Sequence, residues 1–227
     1  MGIVRTFSVG VEPEIVIRRV GGDLSISGWD RNEIHVRADG RDDSAIEQRG
    51  ECVTIGADQD CAIQAPLRSR LRIQSVDGDA SITMLLNNID IDSVGGDLSV
   101  TSVGPTLINS VAGSLSVRSV AGSLLVTNVA GDAQVSQIAG EFRLNAVAGD
   151  LAVYEVAGNV FATTDGDAKL TLQLALGQTV TVAASGDIAC QVQTDATPPS
   201  SANRPISSPV NAPGSKSRAS NTSLDFV

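Results

Sequence analysis

Residues 111–158 read VAGSLSVRS VAGSLLVTN VAGDAQVSQ IAGEFRLNA VAGDLAVYE VAG. A Val/Ile-Ala-Gly tripeptide begins at Val111, Val120, Val129, Ile138, Val147 and Val156, nine residues apart each time. Self-similarity at a fixed short period is the signature of a repeat architecture. Looser copies precede the block at Val94-Gly95-Gly96 and Val103-Gly104-Pro105, and an isolated one stands at Val20-Gly21-Gly22. Within the unit from Val111 to Ser119, Leu115 and Val117 alternate with Ser114, Ser116 and Arg118. That is the period of a strand with one buried face. Nine residues hold about five strand residues and a tight turn, and leave no room for a crossover helix. The glycine is expected to supply permissive backbone angles at the corner, and the preceding Val to tuck beneath it.

A hairpin meander would use two-residue Asn-Gly or Asp-Gly turns. Here every turn repeats the same chemistry, which suits strands turning the same way around an axis. The expected fold is all-β, a parallel β-helix or β-solenoid of nine-residue repeats. With two repeats, or 18 residues, per coil, Leu115, Ala133 and Leu151 stack in one inward column and Val117, Val135 and Val153 in the next. The opposite face then stacks Leu124, Phe142 and Val160 beside Val126, Leu144 and Ala162. Small Ala133 and large Phe142 compensate in volume, as a packed core requires. A three-repeat coil would also place these residues inside.

Composition agrees with a thin, layered core. Aromatic residues make up 3% of the chain and glycine numbers 22, while aliphatic residues carry the apolar content. The organisation expected is a less regular N-terminal β region and cap (1–92), a regular nonapeptide solenoid (93–164), C-terminal solenoid strands and cap (165–193), and a tail rich in Pro and Ser (194–227). The tail holds five of the eight prolines and ends in Leu224, Phe226 and Val227. It reads as disordered alone, or as a tether that docks its apolar end on a neighbour. Residues flanking the repeats are expected to cap its bare ends against edge pairing.

The formal net charge of −10 argues against nucleic acid, which requires a basic patch over phosphates. No stretch has the 18–20 apolar residues of a membrane span. Residues 1–7 carry no signal peptide, so the expected location is cytoplasmic if Met1 is the native start and the cell surface if the chain is trimmed. Cys52, Cys61 and Cys190 show no zinc or disulfide spacing. Cys52 and Cys61 could pair across a hairpin, but reduced thiols are expected. The single histidine, His35, reads as a surface strand residue, and Trp29 as packing over the end of the solenoid.

A family resemblance rests on particular segments. Residues 22–36, GDLSISGWDRNEIHV, resemble the putative adhesin family of bacterial β-strand-repeat domains of unknown function. Ile63-Gln64-Ala65-Pro66, Leu71-Arg72-Ile73, Val76-Asp77-Gly78-Asp79 and Ser185-Gly186-Asp187-Ile188 fit as well. The resemblance covers roughly residues 5–193. It implies a right-handed parallel β-helix, loosely comparable to the bactofilin scaffolds, and brings no catalytic residues. The strict Val-Ala-Gly register and the tail depart from the family pattern.

Asp97, Asp132 and Asp150 follow turn glycines, as in calcium-binding β-rolls, but the Gly-Gly-x-Gly-x-Asp pattern those rolls need is missing. They read as turn residues, and so does Asp165-Gly166-Asp167. No metal, cofactor or catalytic set is expected, and the chain does not read as an enzyme. On the outside, Leu125, Arg143 and Phe161 should stack in one column, with Tyr154 on the other sheet. A stacked exposed column can mark a lateral contact. These residues, with Leu224, Phe226 and Val227, are the candidate assembly contacts. The expected function is a non-catalytic structural protein, its partner itself, assembling into a filament, tube or lattice laced by the tail. The alternative is a monomeric adhesin-like module that binds an envelope glycan or protein.

Overall fold

Each Val-Ala-Gly unit folds into a six-residue strand that ends on the Val, followed by a three-residue corner. The computed structural model describes residues 2–39, 46–173, 178–193 and 222–226. Val227 and most of the tail lie outside the described residues. The first strands are β1 (Gly2–Ser8), β2 (Glu14–Val20), β3 (Leu24–Trp29), β4 (Glu33–Asp39), β5 (Ile46–Arg49), β6 (Cys52–Ala57), β7 (Cys61–Pro66), β8 (Arg70–Ile73) and β9 (Ala80–Thr83). The regular part comprises β10 (Ile89–Val94), β11 (Leu98–Val103), β12 (Thr106–Val111), β13 (Leu115–Val120), β14 (Leu124–Val129), β15 (Ala133–Ile138), β16 (Phe142–Val147) and β17 (Leu151–Val156). Then come β18 (Val160–Thr164), β19 (Ala168–Gln173), β20 (Val180–Ala184), β21 (Ile188–Gln193) and β22 (Thr222–Phe226). No helix occurs among the described residues.

From β8 to β21 successive strands alternate between two eleven-stranded sheets, and each pairs in parallel with the strand two places on. Leu115 therefore pairs with Ala133 and Ala133 with Leu151, which sets two repeats to a coil and excludes three. On the opposite sheet Leu124, Phe142 and Val160 stack in line, as do Val126, Leu144 and Ala162. All of these are buried, and Phe142 is the largest fully buried side chain. The Val or Ile ending each regular strand is buried too, so it closes the corner from inside.

The corners depart from expectation. Among the described glycines only Gly50 has a left-handed φ, +62°. The corner glycines are demanded by distance instead. A Cβ on Gly131 would stand 2.7 Å from the Gly113 carbonyl oxygen and 2.9 Å from Ser114 Oγ in the preceding coil. The left-handed conformation falls on Met84, Ser102, Ser119, Gln137 and Glu155, each just before the buried residue that turns the chain out of one particular sheet. That sheet contains β9, β11, β13, β15 and β17, and is called sheet A here; its partner is sheet B.

The N-terminal region is not laid down in chain order. Sheet A runs β1-β4-β7-β3-β9 onward, and sheet B ends in β8-β2-β6-β5. The β6–β7 coil thus lies outside the β2–β3 coil that precedes it in sequence. Antiparallel strands cover this end, with β4 on β7, β1 on β4 and β5 on β6. At the other end β22 lies antiparallel on β20. Strands β1, β4 and β5 belong to residues 1–92, whereas β22 belongs to residues 194–227, beyond the 165–193 segment expected to cap that end.

Phe142→Ala is expected to cost roughly 3–5 kcal/mol in chemical denaturation, as a large side chain lost from a closed core does. Gly131→Val should lower the melting temperature as well, because its Cβ would collide with the backbone of the coil beneath. An unchanged melting curve for the valine variant would contradict the corner geometry.

Candidate interaction surface

With the inside of both sheets filled, the chemistry available to a partner lies on outward side chains. On sheet B the alternation of strand side chains puts Leu125, Arg143 and Phe161 on adjacent strands in direct register. The Arg143 guanidinium lies 4.9 Å from the centre of the Phe161 ring, and its Nη2 is 3.1 Å from Glu141 Oε1. Leu107 pairs with Leu125 and extends the column; the two are 37% and 40% exposed. Toward the N-terminal end the column continues with Asp90 and Arg72. Arg72 Nε is 3.9 Å from Asp90 Oδ2, while Asp90 Oδ1 is buried and accepts no hydrogen bond. The candidate trio is therefore brought together. Tyr154 stands apart on sheet A, half-exposed between Ser136 and Thr171. Leu224 and Phe226 lie in β22, opposite Val182 and Val180.

Sheet A has a different outer face. One outward column carries small residues in sequence, among them Ser25, Ser81, Ser99 and Ser116. They floor a shallow groove of about 810 Å³, with Arg37 and Asp39 at its N-terminal end. One wall is a ladder of aspartates at the corner. Asp23 Oδ1 accepts the Asp79 N–H at 2.9 Å, Asp79 Oδ1 that of Asp97 at 2.8 Å, and Asp97 Oδ1 that of Ser114 at 2.7 Å. After Ser114 the ladder resumes, with Asp132 Oδ1 on Asp150 N at 2.8 Å and Asp150 Oδ1 on Asp167 N at 2.9 Å. Each carboxylate thereby satisfies a backbone donor that the corner leaves outside the strand ladder. Asp165-Gly166-Asp167 is one of these corners, and Gly166 N–H donates to Gly149 O at 3.2 Å. No group of three or more His, Cys, Asp or Glu among the described residues is placed to hold a metal ion.

The remaining candidates are structural. Cys52, Cys61 and Cys190 are free thiols. Burial pushes the Cys61 thiol up to about 12 and raises that of Cys190 too, so neither is an activated nucleophile. Trp29 is the last residue of β3 and pairs with Pro66 of β7. Its Nε1–H donates to Glu33 O at 2.8 Å, His35 stacks on it at 6.3 Å, and Arg31 lies 4.9 Å from the ring centre. A hydrogen bond from Arg19, exposed and 2.6 Å away, holds the Asp77 carboxyl below the usual carboxylate range.

Residues 10–216 match the model of the Toastrack DUF4097 family. The chain belongs to that family. The match runs past residue 193 into the segment that sequence reading set apart as a tail. Two solved structures are similar to this Toastrack chain. One is described as a putative adhesin from Bacteroides fragilis NCTC 9343, with 16% identity and a TM-score of 0.41, over 86% of this chain and 95% of that one. The other is described as a putative adhesin from Parabacteroides merdae ATCC 43184, with 11% identity and a TM-score of 0.39, over 86% and 92% of the two chains. No curated protein matches the chain.

Asp150→Ala is expected to lower stability by about 1.5 kcal/mol, the loss of one charge-assisted hydrogen bond. Asp150→Asn keeps an acceptor oxygen and should lose less than half as much. Equal losses in thermal denaturation would contradict the capping role.

Proposed function

We propose that this Toastrack chain is a non-catalytic structural protein, a rigid β-solenoid that associates with further copies of itself into a filament, tube or lattice. The observation that carries the reading is the sheet B column, where Leu107 and Leu125 stand exposed on adjacent strands beside Arg143 and Phe161. Scattered surface leucines need no explanation, but two in register on a sheet offer a partner a continuous apolar strip.

The tail can lace such an assembly. Strand β22 adds to the β20 edge through main-chain pairing. The same edge exists on every copy, so a strand donated to a neighbour would make the same hydrogen bonds at little cost, as in domain swapping. The rival reading, a monomeric adhesin-like module for an envelope glycan or protein, draws on the polar groove of sheet A.

Electron microscopy of the full chain beside a version ending at Gln193 tests the proposal. Ordered polymers from the full chain, lost or altered on truncation, are the expected result. Dispersed single particles from both would overturn it and favour the binding module.

A further inference from the structure

The sheet B column has an internal symmetry. From the N-terminal end it reads Arg72, Asp90, Leu107, Leu125, Arg143, Phe161, one residue per strand in direct register. Consider a twofold axis parallel to the strands and midway between β12 and β14. It lays a second copy face to face on the first with the solenoid axes antiparallel. Each residue then meets the one equally far on the other side of the axis. Leu107 faces Leu125, Asp90 faces Arg143, and Arg72 faces Phe161. These are an apolar contact, an ion pair and a cation–π contact, each made twice by symmetry.

We infer that this face of sheet B binds a second copy of the chain in that antiparallel arrangement. The inference rests on the self-association proposed above and specifies its geometry. The competing twofold, along the solenoid axis, would set Asp90 against Asp90 and Arg143 against Arg143. Like charges in contact disfavour it.

The groups are poised for the antiparallel pairing. Asp90 is partly exposed, and its Oδ2 has only Arg72 at 3.9 Å, so the carboxylate can take a second cation from outside. Arg143 has five N–H donors, and Glu141 uses two of its nitrogens, Nε and Nη2, leaving donors for Asp90 of the second copy. The neighbouring outward column is compatible. The same axis brings Asn109 opposite Thr127 and Asp92 opposite Asn145. The Asp92 carboxylate, which accepts from Asn109 Nδ2 at 2.9 Å in its own chain, then meets an amide that can donate to it.

Magnitude sets the kind of association. Six strands about 4.8 Å apart, each about 17 Å wide, offer roughly 500 Å² per copy. Roughly 1,000 Å² in total is at the lower limit of specific interfaces, so the pair is reversible and concentration-dependent.

The test is size-exclusion chromatography with light scattering, run at high concentration on the full chain and its charge variants. The unaltered protein should exceed the mass of the 23.3 kDa chain. Asp90→Arg alone and Arg143→Asp alone should each weaken association at least about 100-fold, since each creates like-charge contacts twice over. The double variant should associate again. An equimolar mixture of the two single variants should form a heterodimer, because one supplies only arginines and the other only aspartates at these positions. That rescue also shows that the single variants are folded. If the unaltered chain associates but the single variants do so equally well, the sheet B pairing is overturned and self-association through another face stands. If the unaltered chain remains a monomer at high concentration, both are overturned. Loss in the single variants without rescue in the double variant or the mixture would also contradict the antiparallel geometry.

Discussion

The structure depends on how closely successive coils approach at their corners. The Gly113 N–H donates to Gly96 O at 3.0 Å, Gly131 to Gly113 at 3.0 Å and Gly149 to Gly131 at 3.1 Å, in an unbroken stack. The stack runs in step with the strand ladders, so the corners must lie as close together as the strands do. A Cβ cannot be fitted at that spacing. Glycine at the corner, an aliphatic residue just before it, and alternation along the strand follow from that single distance. The aspartate ladder answers a related need, because the residue after each glycine presents an N–H that the strands cannot accept.

With corners and interior fixed, only the outward positions can vary. They have diverged into two unlike faces. Sheet A presents serines and threonines beside a row of carboxylates, whereas sheet B presents leucines, a phenylalanine and paired charges. A solenoid keeps such differences in long straight columns, because each residue repeats its neighbour's place one strand further on. An interaction surface on this fold is therefore a line of residues about 18 apart in sequence, with no pocket needed.

Much of this was legible in the sequence, and the parts that were not have physical causes. The six Val/Ile-Ala-Gly copies fixed the strand pattern from Val111 to Val156, and Leu125, Arg143 and Phe161 could be aligned by counting. Leu107 stands 18 residues before Leu125 and so keeps the same count, but it lies outside the strict Val-Ala-Gly block and was missed; the count breaks one strand further on, where Asp90 is 17 residues before Leu107. The corner glycines were read as turn conformers, because a sequence shows a glycine but not the coil beneath it. The positive φ falls on Ser119, Gln137 and Glu155, residue types with no preference that would announce it. The placement of β6–β7 outside β2–β3 was invisible, since the order of coils in space depends on long-range pairing. Pairing of β22 with β20 was equally unreadable, because the intervening segment gives no register. The tail's apolar end was noticed, but not the edge it meets.

In the proposed function the solenoid binds further copies of itself. Sedimentation velocity of the unaltered full chain over a wide concentration series tests this most directly. The account predicts a weight-average mass that rises reversibly above that of the 23.3 kDa chain as concentration increases. A single species at the mass of one chain throughout the series would contradict it.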